Sequence, residues 1–175
     1  MCSSDLLDVG TGSGCIAVTL AAELPDTRVT ACDISAEAIA VAQENARRNQ
    51  VSVRFRQADI LRVARQPDLL APGLYTCMVS NPPYVCQRER ASMAPNVLDY
   101  EPPAALFVPD DDPLLFYRAI AACGQAALRT GGWLYFEINP LYADHLRQML
   151  SMMSYRDIET REDRYGKQRM IRACR

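Results

Sequence analysis

The sequence has almost no lysine, a single histidine and no long apolar run. Arginine supplies all but one of its 19 basic residues, the exception being Lys167, and the only histidine is His145. No apolar stretch approaches the roughly 20 residues that cross a bilayer, and no basic-then-apolar signal opens the chain. No membrane association and a cytoplasmic location are therefore expected. The 175 residues, 49% hydrophobic and 23% charged, suit one soluble globular domain.

Cysteine pairing and excess positive charge are also missing. The seven cysteines include no Cys-x-x-Cys pair, and with one histidine they offer no zinc ligand set, so no metal is expected. The net charge is −2 and the pI about 5.4, whereas proteins that contact many phosphates carry a basic excess. Nucleic acid is therefore disfavoured as a partner, although a local arginine patch is compatible with this sum.

A strand, a glycine-rich loop and a helix follow one another at the start of the sequence. The apolar run Asp5–Val9 predicts the strand, and residues 15–24 have a helical pattern. Between them lie Gly10, Thr11, Gly12, Ser13 and Gly14. Glycines permit a tight turn and let backbone N–H groups approach a ligand at a helix N-terminus. The last position of a dinucleotide fingerprint falls on Cys15 and no Gly-Lys-Ser/Thr follows, which weakens dinucleotide and P-loop sites.

Acidic residues follow the next two predicted strands. Residues 28–32 form a predicted strand that ends in Asp33, about twenty residues beyond the loop, where a carboxylate can bind both ribose hydroxyls. The alternative is a plain helix start, with Ser35 as N-cap. Asp59 and Ile60 end the third predicted strand, and Asp59 is either an acceptor for an adenine amine or a solvated loop acid.

The segment Asn81-Pro82-Pro83-Tyr84 directly follows a buried strand predicted over residues 75–80. Proline cannot continue a central strand and holds the residue before it extended, so the chain leaves the sheet in one fixed shape. The Asn81 side-chain carbonyl and the Asn81 and Pro82 backbone carbonyls then lie beside the Tyr84 ring. This arrangement suits a planar –NH2 group. For the tetrapeptide alone, the alternative is a simple strand-ending turn.

The remaining pattern predicts three more helices and three more strands. The helices cover residues 36–48, 114–128 and 140–153, and the strands cover residues 133–138, 156–162 and 168–173. The first of these helices is predicted to place Ala36, Ile39, Ala40 and Gln43 on one face. Asp112 is predicted to cap the second helix, and Gly131-Gly132 to end it.

This order predicts an α/β, doubly wound sheet with one antiparallel strand in a C-terminal hairpin. The proline-rich stretch over residues 81–113 interrupts the alternation without any periodicity. A stretch of that length predicts a functional loop or lid that contacts the substrate.

Together these motifs resemble the catalytic domain of class I S-adenosylmethionine-dependent methyltransferases, and specifically the release factor glutamine methyltransferases. The similarity runs nearly end to end and includes Tyr100-Glu101-Pro102 with Ala105-Leu106, and the hairpin stretch 163–169. It implies a Rossmann-like seven-stranded sheet and S-adenosylmethionine as the cofactor. It also implies a peptide chain release factor as the protein substrate, methylated on the side-chain amide nitrogen of a glutamine.

The resemblance further implies roles for individual residues. The cofactor would be bound by Gly10, Thr11, Gly12, Ser13, Gly14, Asp33, Asp59, Ile60 and Asn81. The substrate amide would be bound by Asn81, Pro82, Pro83 and Tyr84, of which Asn81, Pro82 and Tyr84 would act in catalysis. Methyltransferases that act on the N6 amine of adenine carry a similar tetrapeptide, so a nucleic-acid substrate is one alternative. A cofactor-binding domain without turnover is the other.

Two features depart from the family pattern. The fifth predicted strand is followed by Asn139, where the family usually has glycine, and this side chain is expected to narrow the cofactor side of the site. Members of the family also carry a helical N-terminal domain and a linker motif, and neither is evident here. Residues 1–175 are therefore expected to form the catalytic domain alone, without the N-terminal helical domain.

Overall fold

A seven-stranded sheet with helices on both faces forms the centre of the computed structural model, which describes residues 4–65, 72–93, 98–99 and 102–175. Its strands, and a second pair of short strands, are β1 (Ser4–Val9), β2 (Thr27–Asp33), β3 (Val53–Gln57), β4 (Tyr75–Ser80), β5 (Val85–Cys86), β6 (Phe107–Val108), β7 (Leu128–Glu137), β8 (Arg156–Glu162) and β9 (Gln168–Cys174). The main helices are α1 (Cys15–Glu23), α2 (Ala36–Arg48), α3 (Leu115–Ala127) and α4 (Ala143–Met152).

The strand order in the main sheet is β3-β2-β1-β4-β7-β9-β8. All neighbouring pairs from β3 to β7 run parallel, whereas β9 runs antiparallel to both β7 and β8. The doubly wound class and the single antiparallel strand of a closing hairpin are thus confirmed. The chain order reverses between β1 and β4, which makes the carboxyl ends of these two strands the expected ligand-binding edge.

Two apolar clusters fill the two faces of the sheet. The larger one packs α3 and α4 against the sheet and includes Met78, Tyr117, Leu134, Leu146 and Ile171. The smaller one packs α1 against the opposite face, around Leu6, Ala17, Val29 and Ala31. Burial on both faces explains why the central strands are apolar runs rather than alternating patterns.

The stretch after β4 has local structure of its own. Val85 and Cys86 pair in parallel with Phe107 and Val108, and a 3₁₀ turn over Gln87–Ser92 follows β5. A single helical turn, Pro103–Leu106, contains the predicted Ala105-Leu106 signature, while Tyr100 and Glu101 lie outside the described residues. The short ladder of β5 and β6 was not predicted, because two-residue strands leave no periodicity to detect.

The predicted face of α2 is wrong. Its buried residues are Ile39, Ala42 and Ala46, whereas Ala36, Ala40 and Gln43 are exposed. Alanine occupies several sides of this helix, so apolarity alone does not select a face. The close approach of the glycine loop selects it: a Cβ on Gly14 would lie 2.8 Å from the Ala42 Cβ.

The predicted boundaries of α3 also need correction. Leu114 occupies the N-cap position, and the Asp112 carboxylate instead pairs with the Arg118 guanidinium at 2.9 Å. The helix ends at Ala127 and β7 begins at Leu128, so Gly131 and Gly132 lie inside a strand. Glycine suits that place because a Cβ on Gly132 would lie 2.8 Å from the Arg129 carbonyl oxygen.

Two structural features are absent from the described ranges. No helix there has the combined length and hydrophobicity needed to cross a membrane. No group of three or more His, Cys, Asp or Glu side chains there is arranged to hold a metal ion.

Candidate active site

The glycine loop and the Asn81-Pro82-Pro83-Tyr84 segment leave the sheet side by side. Val9 at the end of β1 is the parallel partner of Ser80 at the end of β4. The buried Ser80 hydroxyl donates to the Val9 carbonyl over 2.6 Å, which ties the two strand ends together. Adjacent parallel strands therefore bring both predicted motifs to one edge of the sheet, at the point where the chain order reverses.

The conformation of the glycine loop requires glycine. Gly10, Gly12 and Gly14 have φ values of +70°, +55° and +81°, a region that other residues enter only with strain. The amides of Gly10 and Thr11 both donate to the Cys32 carbonyl, at 2.9 and 3.0 Å, so the loop is fastened to the end of β2. Space within 4 Å of a Cβ on Gly10 or Gly12 is open, which leaves the backbone accessible to a ligand.

Asp8, in β1 just before the glycine loop, supports the loop through hydrogen bonds. One oxygen of its fully buried carboxylate accepts hydrogen bonds from the Thr11 hydroxyl (2.6 Å) and the Ala17 amide (3.1 Å). The second oxygen, Oδ1, has no partner within the described residues. Burial raises the pKa of Asp8 to about 6, although the bonds from Thr11 and Ala17 oppose that rise. Asp8 belongs to the stretch that resembles the cofactor loop, but its pattern placed it in the first predicted strand and did not predict that it supports the loop.

Asp33 lies against the loop, as its spacing predicted. Its carboxylate accepts from the Gly12 amide at 2.8 Å and from the Ser35 amide at 2.9 Å. Each oxygen thus holds one backbone donor, and each has a further lone pair for a ligand hydroxyl. Ser35 caps α2, accepting from the Ala38 amide at 3.1 Å. The next residue along from Asp33, Ile34, exposes 61% of its surface at this edge and was missed by the sequence reading.

Asp59 lies near Asp33 but is engaged locally. The Ala58 amide donates to the Asp33 carbonyl at 2.8 Å, which brings this turn to the end of β2. The Asp59 carboxylate accepts from the Leu61 amide at 2.9 Å and lies 3.5 Å from the Arg62 guanidinium. Ile60 is half-buried and packs against the larger apolar cluster. The contacts of Asp59 are those of a turn-starting acid, so its predicted adenine contact stays a prediction.

The Asn81-Pro82-Pro83-Tyr84 segment combines a buried anchor with exposed polar groups. Pro82 is buried and Asn81 is exposed, and no described residue donates to the Asn81 side-chain carbonyl. The Tyr84 hydroxyl donates to the Glu137 carboxylate at 2.9 Å. Burial, followed by the nearby Glu137 charge, raises the pKa of Tyr84 to about 12, so this hydroxyl remains a donor at neutral pH. Glu137 was not among the predicted site residues.

Asn139 does not act as its position suggested. Its side chain was expected to narrow the cofactor side, but it donates to the Tyr84 carbonyl (3.2 Å) and to the Glu89 carboxylate (3.1 Å). Its own carbonyl accepts from the Leu141 amide at 3.1 Å. The side chain is therefore turned toward the segment that carries Tyr84.

The chemistry of this edge fits S-adenosylmethionine. Open glycine backbone at positive φ can contact the amino-acid part of such a ligand closely, and Asp33 offers acceptors for ribose hydroxyls. The exposed Ile34 side chain offers an apolar surface beside Asp33 for the adenine ring. The residues predicted to bind the cofactor thus lie along one continuous edge, with Asn81 at its far end.

A comparison with protein families identifies the family to which the chain belongs. Residues 2–99 match the family described as the methyltransferase small domain, which covers more than half of the chain. The chain belongs to this methyltransferase small domain family. The match includes the glycine loop, Asp33 and the segment that starts at Asn81, and it supports S-adenosylmethionine as the cofactor.

Relatives of this methyltransferase domain carry the predicted family name. A protein from Bacteroides thetaiotaomicron named release factor glutamine methyltransferase is 49% identical over 170 residues, 97% of this chain and 60% of that protein. One of the same name from Flavobacterium psychrophilum is 43% identical, over 95% of this chain and 57% of that protein. The resemblance predicted from the motifs is thus confirmed. The chain spans less than two thirds of the length of these relatives.

Several solved structures share the fold of the domain. TrmN from Thermus thermophilus matches with a TM-score of 0.65 at 21% identity, over 99% of this chain and 44% of that one. A methyltransferase from Pyrococcus furiosus matches with a TM-score of 0.69 at 16% identity, over 98% of this chain and 75% of that one. At these identities the likeness concerns the fold alone.

Proposed function

We propose that this domain transfers the methyl group of S-adenosylmethionine to the side-chain amide nitrogen of a glutamine in a peptide chain release factor, in the cytoplasm. One observation carries the proposal: Val9 and Ser80 are paired, so the glycine loop and the Asn81 segment leave adjacent strands at one edge. A cofactor site and an amide-accepting site are then neighbours. The names of the relatives support the choice of a glutamine in a release factor.

The acceptors at Asn81 and Pro82 match the donors of a primary amide. A glutamine side chain ends in a planar –NH2 group with two N–H donors. The exposed Asn81 side-chain carbonyl and the backbone carbonyls of Asn81 and Pro82 are suitable acceptors for them. The half-buried Tyr84 ring offers a flat surface for the amide plane. Pro82 and Pro83 keep this backbone rigid, so little ordering is required when the substrate binds.

The residues act by holding the amide nitrogen. When bound, the cofactor supplies a methyl group on a sulfonium, which is already activated for transfer. An amide nitrogen is a weak nucleophile because its lone pair is delocalised. Acceptors at Asn81 and Pro82 hold its two hydrogens and stabilise the positive charge that develops at nitrogen. One of these hydrogens leaves as a proton once the N–C bond has formed, so the product is a neutral N-methyl amide. Tyr84 excludes water from one face of the amide and fixes its orientation.

The test is methyl transfer from labelled S-adenosylmethionine to a folded release factor. The controls are the same factor with its target glutamine replaced by alanine, and duplex DNA. Label on the parent factor alone is the expected result. Cofactor binding by calorimetry without label on any substrate would contradict turnover by this domain and favour a cofactor-binding role.

A second candidate substrate is the amine of adenine in nucleic acid. One observation favours it: Arg28, Arg54 and Arg56 line a cleft of about 460 Å³ over β2 and β3. Arg28 is paired with Asp5 at 2.7 Å, which reduces the local positive charge. The cleft is also separate from the glycine loop, since no loop residue lines it within the described part of the chain. Label on DNA with a steep salt dependence would establish this alternative.

A further inference from the structure

The end of β7 holds Tyr84 at two points. The Glu137 carboxylate accepts from the Tyr84 hydroxyl at 2.9 Å, and the Asn139 side-chain amide donates to the Tyr84 carbonyl at 3.2 Å. Glu137 and Asn139 are two residues apart at the end of an extended strand, so their side chains leave the backbone on the same side. The ring and the backbone of Tyr84 are thus both held by residues at the end of β7 or directly after it.

Asn139 uses all of its side-chain polar groups in these contacts. Asn139 is only 6% exposed. Its –NH2 group donates to the Tyr84 carbonyl at 3.2 Å, and to each of the two Glu89 carboxylate oxygens at 3.1 Å. Its carbonyl oxygen accepts from the Leu141 amide at 3.1 Å. A buried amide with all of its groups paired favours one arrangement of the segments around it, because any other leaves a polar group unsatisfied.

Glu89 joins the same contacts from the other side. It lies on the 3₁₀ turn Gln87–Ser92, and its carboxylate accepts from the Cys86 amide at 2.8 Å as well as from Asn139. Hydrogen bonds to a carboxylate are about twice as strong as those between neutral groups. Glu89 therefore fastens the chain two residues beyond Tyr84 to the residue that also holds the Tyr84 carbonyl.

We propose that the Glu89–Asn139 pair is a positioning device for the candidate amide site. The pair fixes the backbone that leaves Asn81-Pro82-Pro83-Tyr84, so the carbonyl acceptors and the Tyr84 ring stand in their working arrangement before substrate arrives. Its effect on catalysis rests on the proposed function. Its effect on backbone order does not, because all of these contacts join residues of the chain itself. Preorganised acceptors lower the ordering cost of binding and the barrier of the transfer step.

The experiment compares Glu89→Ala, Asn139→Ala, their double variant and Glu89→Gln with the parent chain. Gln87→Ala, an exposed change on the same turn, is the matched control. Hydrogen exchange of the Cys86 amide is measured first, because Glu89 is its acceptor. It should speed up about tenfold or more in Glu89→Ala and stay near the parent rate in Glu89→Gln and Gln87→Ala. Glutamine keeps a side-chain oxygen that can accept the same bond.

The kinetic measurement separates positioning from cofactor binding. The kcat/KM for the release factor should fall about tenfold in each alanine variant, with the cofactor Kd unchanged. The double variant should be little worse than either single one, because the two side chains act as a unit. Glu89→Gln should lose less activity than Glu89→Ala, because it keeps one of the two acceptor oxygens.

Two results would contradict the proposed positioning role of the Glu89–Asn139 pair. Equal Cys86 exchange in Glu89→Ala and the parent would show that the carboxylate does not order this turn. Fully additive losses in the double variant would show that the two side chains act separately. If the parent transfers no methyl group but Glu89→Ala still speeds exchange, the positioning device stands and the proposed function fails.

Discussion

The Tyr84 hydroxyl donates to the Glu137 carboxylate across 2.9 Å, joining the segment after β4 to the end of β7. The two residues are 53 positions apart in the sequence, and the bond fixes the orientation of the Tyr84 ring. Because the pKa of Tyr84 is raised to about 12, the hydroxyl keeps its proton throughout the neutral range.

Replacing Tyr84 with phenylalanine tests this orientation. The ring stays, but the half-buried Glu137 carboxylate loses its donor, so we expect the KM for the release factor to rise about threefold to tenfold. The cofactor Kd should not change, because neither Glu137 nor Tyr84 is among the residues predicted to bind the cofactor. Steady-state kinetics and calorimetry measure the two quantities. Glu137→Gln is the matched variant, since its amide oxygen still accepts from the hydroxyl, and an equal KM defect in both would argue against the bond.

Asn81→Ala should reduce kcat far more than cofactor affinity. The variant removes one acceptor that holds the amide hydrogens in the transition state, a loss of about 3 kcal/mol or roughly a hundredfold in rate. Single-turnover transfer of labelled methyl groups gives the rate of the chemical step. Asn81 is exposed, so its removal should leave the urea midpoint of unfolding unchanged. A variant as fast as the parent would exclude Asn81 from the reaction.

Gly14→Ala should destabilise the domain by about 2–5 kcal/mol. The new Cβ would lie 2.8 Å from the Ala42 Cβ, and the residue would also keep a φ of +81°. Gly10→Ala is the matched control, because it has a similar φ of +70° but open space around a Cβ, and it should cost only about 1–2 kcal/mol. Urea unfolding of both variants gives the difference. Equal losses would mean that backbone strain alone, and not the contact of α1 with α2, requires glycine at position 14.

The raised pKa of Asp8 predicts that the free energy of unfolding falls as the pH rises. Its pKa is raised from 3.8 to about 6, so the folded chain holds this proton more tightly than the unfolded chain. The associated stability, about 3 kcal/mol, is present below about pH 4 and is lost as the pH rises through 6. Burial without a partner for Oδ1 is the physical cause.

The Asp8→Asn variant should abolish that loss, because asparagine does not ionise and its oxygen still accepts from Thr11 and Ala17. Urea unfolding at pH 4 and pH 7 measures it, as the difference between variant and parent. This difference removes the opposite contribution of carboxylates such as Glu44, whose pKa is lowered by Arg47 and Arg48. A parent and a variant with the same pH dependence would contradict the raised pKa.

Local patterns predicted the parts of the site that lie next to one another in the sequence. The glycine loop, Asp33 and the Asn81 segment each follow a strand directly, and parallel pairing then brings strand ends together, so their shared edge was predictable. Contacts between distant positions were not. Glu137 and Asn139 read as the end of a strand, and only the fold brings them to Tyr84. Asp8 read as part of a strand because burial without a partner leaves no mark in a sequence pattern.

The predictions for α2 and for the end of α3 were wrong because small residues there left no clear hydrophobic pattern. Alanines on several sides of α2 hid its buried face, which the approach of Gly14 to Ala42 decides. Gly131-Gly132 resembled a helix end, although these residues lie within β7, where close backbone approach excludes a side chain. In both cases the deciding contact comes from another part of the chain.

The position of β9 has a consequence for the order in which the molecule is made. β9 follows both β7 and β8 in the sequence, yet it lies between them in the sheet. Until its residues leave the ribosome, β8 has no neighbour to pair with and the β7 edge stays open. Synthesis proceeds at about 5–20 residues per second, so the nascent chain carries two unpaired strand edges for the interval before β9 arrives. The gap between β7 and β8 can therefore be filled only after both of these strands have been made.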